Sequence, residues 1–204
     1  MRKIRNMANL KKSNTFIKNY TDDYVDIVDK IANNVKNIII YNKPYSIYYD
    51  NIYIIKKNID ISVKLVKTEN INNLSVSGET LMIDKPNLIN IRVEYPKYAY
   101  KTNIEYLMAE LKDCIRHEIQ HWIQIINNTF TMEELGINFN KNMYQYYLLE
   151  HEIEAHVYGL IYNSKENGKT MYDNICDFLK TWRELTPYQK DMIKKEYEKY
   201  FMNL

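Results

Sequence analysis

The chain has 204 residues, of which 46% are hydrophobic and 13% aromatic, so it is too apolar for a disordered protein and long enough to bury a core. Its net charge is only +2, without the concentrated basic face of a nucleic-acid-binding protein, so we predict no nucleic-acid partner. No apolar run approaches the roughly 20 residues that cross a membrane, so we predict no membrane partner either.

The compartment is inferred from the start of the chain and from its cysteines. No apolar stretch of signal-peptide length follows the basic first residues, and two cysteines do not make a disulfide framework. We therefore expect a cytoplasmic protein. Separately, Cys114 is expected to be a buried apolar side chain. Abundant Asn, Lys, Ile and Tyr indicate an AT-rich genome, as in bacteriophages, large viruses and some low-GC bacteria. For a viral protein, the expected compartment is the host cytoplasm or the virion.

The first half of the chain is predicted to hold one helix and a small sheet. Residues 1–20 are polar and basic, and we interpret them as an N-terminal tail ahead of a single domain over residues 21–204. Apolar side chains recur at helical spacing after Thr21, which predicts a helix that ends near Asn37. Stretches rich in Ile, Val and Tyr then predict four strands, at residues 46–55, 59–66, 81–83 and 88–95, with Gly78 and Pro86 in the breaks.

The second half is predicted to be helical. A capping box of Thr102 and Glu105 begins a long helix that ends near residue 127. Further helices are predicted at residues 143–162 and 172–183, and a last one starts at Pro187 with Thr186 as its N-cap. One helix, a sheet and then several helices indicate an α+β fold.

The long helix carries the pattern H-E-x-x-H, from His117 to His121. Because residues four apart lie on one face of a helix, the two imidazoles can bind one metal ion. A catalytic zinc site has three protein ligands and leaves the fourth position for water. Glu118 would act as general base on that water, while zinc lowers the pKa of the water and polarises the scissile carbonyl. The pattern therefore predicts a zinc-dependent metallopeptidase.

The third ligand is expected from residues 148–159, which hold the two remaining histidines of the chain. Helical spacing places Glu152 on the inward face of this segment, together with Ala155, His156 and Gly159. Ala155 and Gly159 are small enough to let this helix approach the H-E-x-x-H helix closely. A carboxylate on a buried face needs a partner, and a metal ion is one. Glu152 is therefore the favoured third ligand, with three alternatives left open: His156, His151 and Glu154.

H-E-x-x-H followed by a helix with Glu-x-x-Ala resembles the gluzincin zinc metallopeptidases, and the segment from Glu152 to Ala155 matches that second motif. In that family the first Glu of the second motif binds zinc, which implies Glu152. The next position is often Asp or Asn and braces a ligand histidine. His156 stands there in this chain, a departure that implies a bracing role; stabilisation of the oxyanion and a plain core histidine are the alternatives. The resemblance covers residues 102–162 and is nearest to compact cytosolic or phage-encoded metallopeptidases.

The same resemblance implies a zincin-like fold, with an N-terminal helix and a small mixed or antiparallel sheet ahead of the helical half. In such folds an edge strand lies above the metal, and the substrate adds to it as an extra strand. Residues 88–95, the strand that precedes the H-E-x-x-H helix, are the candidate for this edge, and a plain structural strand is the alternative. The partner implied is a peptide or protein substrate.

Two other functions fit part of the pattern. A di-iron site needs Glu-x-x-His on each of two helices, and only Glu118 has a histidine three residues later. Alternatively, the chain is a non-catalytic structural or interaction protein with a zincin-like fold, for example a virion component. Glu118 argues against that alternative, because a site without hydrolysis has no need of a general base.

Overall fold

The computed structural model describes residues 24–41, 46–54, 57–69, 74–81, 87–97, 103–130 and 142–204. The predicted tail, Thr102 of the capping box and the predicted strand residues 82 and 83 lie outside these ranges. The chain forms two compact units, and the boundary falls between Trp122 and Ile123. None of the helices in the described ranges is long and apolar enough to span a membrane.

The first unit contains a helix, a four-stranded sheet and most of a second helix. Its elements are α1 (Val25–Ile40), β1 (Ser46–Ile54), β2 (Lys57–Thr68), β3 (Ser75–Leu81), β4 (Leu88–Pro96) and α2, which begins at Ile104 and ends at Ile126. The strand order is β1-β2-β4-β3, with β2 and β4 parallel and the two outer pairs antiparallel, so the sheet is mixed. The α+β class and the long helix predicted from residue 102 are confirmed.

Two predictions for the sheet are wrong. We expected β4 to be an edge strand, but it lies between β2 and β3, so β3 is the edge strand on that side. We also placed Gly78 in a break, whereas it lies in the middle of β3, opposite Ile91 of β4. Side-chain periodicity reports which residues face the core, but strand order depends on tertiary pairing that periodicity does not contain.

Alternating apolar side chains on the two central strands form the core of this sheet. In the parallel register, Ile61 pairs with Ile89 and Val63 with Ile91, which puts these four side chains on one face. All four are at most 1% exposed. Burial of each such side chain contributes about 1.5–3 kcal/mol, so this central pair of strands contributes strongly to the stability of the sheet.

The second unit is helical. It contains the last turn of α2, α3 (Met143–Tyr146), α4 (Glu150–Asn167), α5 (Met171–Thr181) and α6 (Pro187–Met202). The predicted helix at residues 143–162 is wrong in one respect, because Tyr147 to Leu149 interrupt it and α4 starts with the extended backbone of Leu149 as its N-cap. At the other end, Gly168 adopts φ +69° and terminates α4.

The start of α6 agrees with the prediction from the sequence, which had Thr186 as N-cap and Pro187 as the first helical residue. The Thr186 hydroxyl accepts from the backbone N–H of Gln189, whose side chain accepts in return from the Thr186 N–H, and Pro187 occupies the first turn. The helices of this unit share an apolar cluster drawn from α4, α5, α6 and their connections: Tyr147, Ile153, Val157, Leu160, Ile175, Leu179, Leu185, Ile193 and Tyr197.

Candidate metal centre

The two histidines of the H-E-x-x-H pattern converge on α2. The Nε2 atoms of His117 and His121 are 2.9 Å apart, and the rings stand nearly perpendicular at 87°. Two nitrogens that each bind zinc at about 2.0–2.1 Å are separated by at most about 4.2 Å, so the spacing fits a shared metal ion. His121 is buried and His117 is half-buried, which leaves one side of the pair accessible.

Glu118 is a buried carboxylate held by the edge strand. The hydroxyl of Thr80 on β3 donates to Oε2 of Glu118 at 2.8 Å and also lies 3.1 Å from the backbone oxygen of Glu118. Only 7% of Glu118 is exposed, so this hydroxyl supplies a hydrogen bond where water is scarce. Thr80 was not predicted as a site residue, because the third strand was predicted to begin at residue 81, six residues after its start at Ser75.

Gly78 makes room for Glu118 beneath the same strand. A Cβ atom at Gly78 would lie 2.6 Å from Cγ of Glu118 and 2.9 Å from Sγ of Cys114. Real Cβ atoms essentially never approach heavy atoms so closely, so a glycine is required here for a steric reason. Gly78 and Thr80 are two residues apart and thus share one face of β3, the face turned toward Glu118.

Cys114 lies next to Glu118 on α2, one turn before it. Burial raises the pKa of the Cys114 thiol well above its usual range, and the nearby Glu118 carboxylate raises it further. A thiol in this state stays protonated near neutral pH, and only the thiolate is an effective nucleophile or metal ligand. By exposure Cys114 is half-buried rather than fully buried as predicted.

In the second unit, Glu152 lies in the first turn of α4 and is 2% exposed. Its burial confirms the inward face predicted from helical spacing, whereas Glu150 is exposed and Glu154 half-buried. Two imidazoles lie beside its carboxylate: Nε2 of His151 is 3.5 Å from Oε1, and Nε2 of His156 is 3.9 Å from Oε2. Glu152 is thus a buried acid among nitrogen-bearing rings.

Two phenols are also close enough to Glu152 to respond to its charge. Burial raises the pKa of Tyr147 far above its usual value, and the Glu152 charge adds to that effect. Burial likewise raises the pKa of Tyr197 on α6, with smaller contributions from Tyr147 and Glu152. Both phenols therefore stay neutral across the physiological range, and neither offers a phenolate ligand.

The two small residues predicted on the inward face of α4 differ in their surroundings. Ala155 is 1% exposed, so its small side chain does lie in the core. A Cβ atom at Gly159, in contrast, would meet nothing within 4 Å among the residues that the structure describes. The spacing of small residues thus identified the buried face correctly at Ala155.

Within the described residues, one group of His, Cys, Asp or Glu side chains could hold a metal ion, and it consists of His117, His121 and Glu152. The alternatives for the third ligand, His151, His156 and Glu154, are not members of that group. No protein-family model, no curated protein and no solved structure matches the chain. The chemistry of the group must therefore be inferred from its own residues.

Proposed function

We propose that the protein is a zinc-dependent metallopeptidase with a zincin-like fold. His117, His121 and Glu152 are the proposed zinc ligands, and Glu118 is the proposed general base. The imidazole pair on α2 is the main support, because two Nε2 atoms 2.9 Å apart are already spaced for one ion. Two imidazoles and one carboxylate form a donor set used by catalytic zinc, and the fourth position stays open for water.

Hydrogen bonding around α4 supports Glu152 as the third ligand. The side chain of Gln124 donates to the backbone oxygen of His151 at 2.9 Å, with both groups buried. Gln124 lies three residues beyond His121 on α2, which is one uninterrupted helix as far as Ile126. Three residues correspond to about 4.5 Å along a helix axis. The residue that precedes Glu152 is therefore bonded to the last turn of α2.

Glu118 is suited to general-base chemistry by the way in which it is held. Thr80 donates to one carboxylate oxygen, Oε2, so Oε1 could accept a proton from a water molecule. Zinc supplies the Lewis acidity that lowers the pKa of that water. Glu118 would accept the proton as the water attacks the scissile carbonyl, and would then deliver it to the leaving amine.

The peptide class of substrate is inferred from β3. This strand is an edge of the described sheet, so the backbone groups along its outer side can pair with an extended chain. Gly78 and Thr80 of the same strand face Glu118. A peptide added along β3 would thus run past the proposed base, which is the role that we first assigned to β4.

Metal content is the first test. Zinc is measured by mass spectrometry in protein purified without chelator or metal-affinity resin, together with His117→Ala and Glu152→Ala. We expect about one zinc ion per chain, lost from both variants, because removal of one of three protein ligands disrupts such a site. A wild-type protein that binds no zinc, even after zinc is added, would contradict the proposal. Loss from His117→Ala alone would move the third ligand away from Glu152.

Hydrolysis is the second test. A peptide library is incubated with the zinc-loaded wild type and with Glu118→Gln, which keeps the shape of the side chain but cannot accept the proton. We expect the variant to retain zinc and to lose roughly 10²–10⁴-fold in rate, the usual contribution of general-base catalysis. Cleavage that survives the substitution would contradict the proposed role of Glu118 as general base. Bound zinc without cleavage of any library peptide would favour the non-catalytic alternative.

A further inference from the structure

The carboxylate of Glu152 lies between two histidines of its own helix. His151 approaches one oxygen at 3.5 Å and His156 approaches the other at 3.9 Å. Both separations exceed the range of about 2.7–3.2 Å for an N–H···O bond, so the imidazoles limit the carboxylate by contact. The chain therefore places one polar ring on each side of the ligand that we propose for zinc.

The ring of His156 is fixed by aromatic neighbours. Its centroid is 5.0 Å from that of Phe178, 5.2 Å from Tyr147 and 6.1 Å from Tyr197, with the Tyr197 ring nearly parallel to it at 20°. These neighbours come from α5, from the turn before α4 and from α6. An imidazole enclosed in this way has few alternative rotamers, so its Nε2 atom holds a fixed place beside Glu152.

The ring of His151 is fixed from a different direction. Its backbone oxygen accepts the buried hydrogen bond from Gln124, and Phe130 lies edge-on to the imidazole at a centroid distance of 5.5 Å. His151 is 4% exposed, so the side chain cannot swing into solvent. Each oxygen of Glu152 thus has one enclosed imidazole near it, and the two rings have no packing neighbour in common among the contacts described.

We propose that His151 and His156 are paired positioning residues for Glu152, one for each carboxylate oxygen. This inference rests on the zinc site proposed above. A carboxylate ligand gains affinity when neighbouring groups fix the oxygen that faces the metal, because less freedom is then lost on binding. Neither histidine contacts the reacting atoms in this role, and neither needs to bind the metal itself.

Zinc affinity is the test, measured by competition with a chromophoric chelator on the full chain. His156→Phe keeps an aromatic ring in the cluster but has no nitrogen, whereas His156→Gln keeps a polar nitrogen at similar reach. We expect the Phe variant to lose roughly 10–100-fold in affinity, as substitutions behind metal ligands usually do, and the Gln variant to recover most of it. The same pair of substitutions at His151 should behave in the same way.

Phe178→Leu is the matched control. It alters the packing around His156 but leaves both nitrogens in place, so a loss of zinc affinity caused by packing alone would appear there too. Thermal unfolding of each metal-free variant separates misfolding from weakened binding. The absorption spectrum of the cobalt-substituted protein adds a readout of ligand geometry, which we expect to change in the Phe variants and to stay unchanged in Phe178→Leu.

The possible outcomes distinguish this inference from the zinc site itself. A wild type with zinc, and Phe variants that bind it equally well, would overturn the positioning role and leave the metallopeptidase proposal intact. Equal losses in the Phe and Gln variants and in Phe178→Leu would show that packing is responsible, which also overturns the role. A wild type without zinc would overturn both proposals.

Discussion

Glu118 and Glu152 are both buried carboxylates, yet they are held in opposite ways. Glu118 lies under an edge strand that has a glycine where its side chain passes and a single hydroxyl donor beside it. Glu152 lies among rings, with imidazoles at its oxygens and aromatic side chains behind one of them. The first carboxylate depends on empty space, so added atoms should damage it. The second depends on filled space, so removed atoms should damage it.

Gly78→Ala is the sharpest test of the first arrangement. The new Cβ would overlap Glu118 and Cys114, and such overpacking typically costs about 1–3 kcal/mol. We expect the free energy of unfolding in denaturant to fall by that amount, and cleavage of a library peptide to fall by more than about tenfold as Glu118 is displaced. Full activity and unchanged stability would show that β3 does not constrain Glu118.

Thr80→Val tests the hydroxyl separately from the space. Valine has nearly the shape of threonine, so the change removes the bond to Glu118 without adding volume. We expect kcat to fall about tenfold, with zinc affinity unchanged, because one oriented hydrogen bond to a carboxylate contributes about 1.5–3 kcal/mol at most. Thr80→Ser should restore most of the rate. If serine is as poor as valine, the methyl group of Thr80 matters rather than its hydroxyl.

The same contrast explains what could be predicted from the sequence. His117, Glu118 and His121 depend only on spacing within one helix, and the burial of Glu152 follows from helical periodicity on α4. Thr80 was missed because β3 has only two apolar residues, Val76 and Leu81, and polar strands give a weak periodic signal. Local patterns thus predict residues whose geometry is set within one element.

Such patterns could not predict the pairing of the strands or the N-cap of α4. Strand β4 precedes α2 directly, which made it the natural choice for the edge, but β2 pairs with it in parallel from the other side. The break between α3 and α4 has no capping side chain at Leu149, and the surrounding apolar residues continue the helical spacing. Tyr147 lies at this break and is buried. Its burial involves residues of α5 and α6, which come later in the chain.

Tyr197→Phe tests whether the hydroxyl of Tyr197, in the aromatic packing near Glu152, contributes to stability. Among the described residues, the buried Tyr197 hydroxyl has no hydrogen-bond partner. An unsatisfied buried hydroxyl costs about 1–3 kcal/mol, so we expect its removal to raise the free energy of unfolding by about 1 kcal/mol. Zinc affinity should not change, since the ring stacked on His156 stays in place. A less stable variant would show that the hydroxyl has a partner, such as a buried water.

Gly159→Ala is the matched counterpart of Gly78→Ala, with the same atoms added to the other unit. Gly159 lies inside α4, and its new Cβ would meet no atom of the described residues within 4 Å. Alanine in a helix interior is favoured over glycine by about 0.8–1.0 kcal/mol, so the free energy of unfolding should rise by that amount while zinc affinity stays the same. The two substitutions would then have opposite signs, because only β3 uses its glycine to make room for a neighbour. A loss of stability in Gly159→Ala would instead mean that α4 is closely packed at this point, as the spacing of its small residues had suggested.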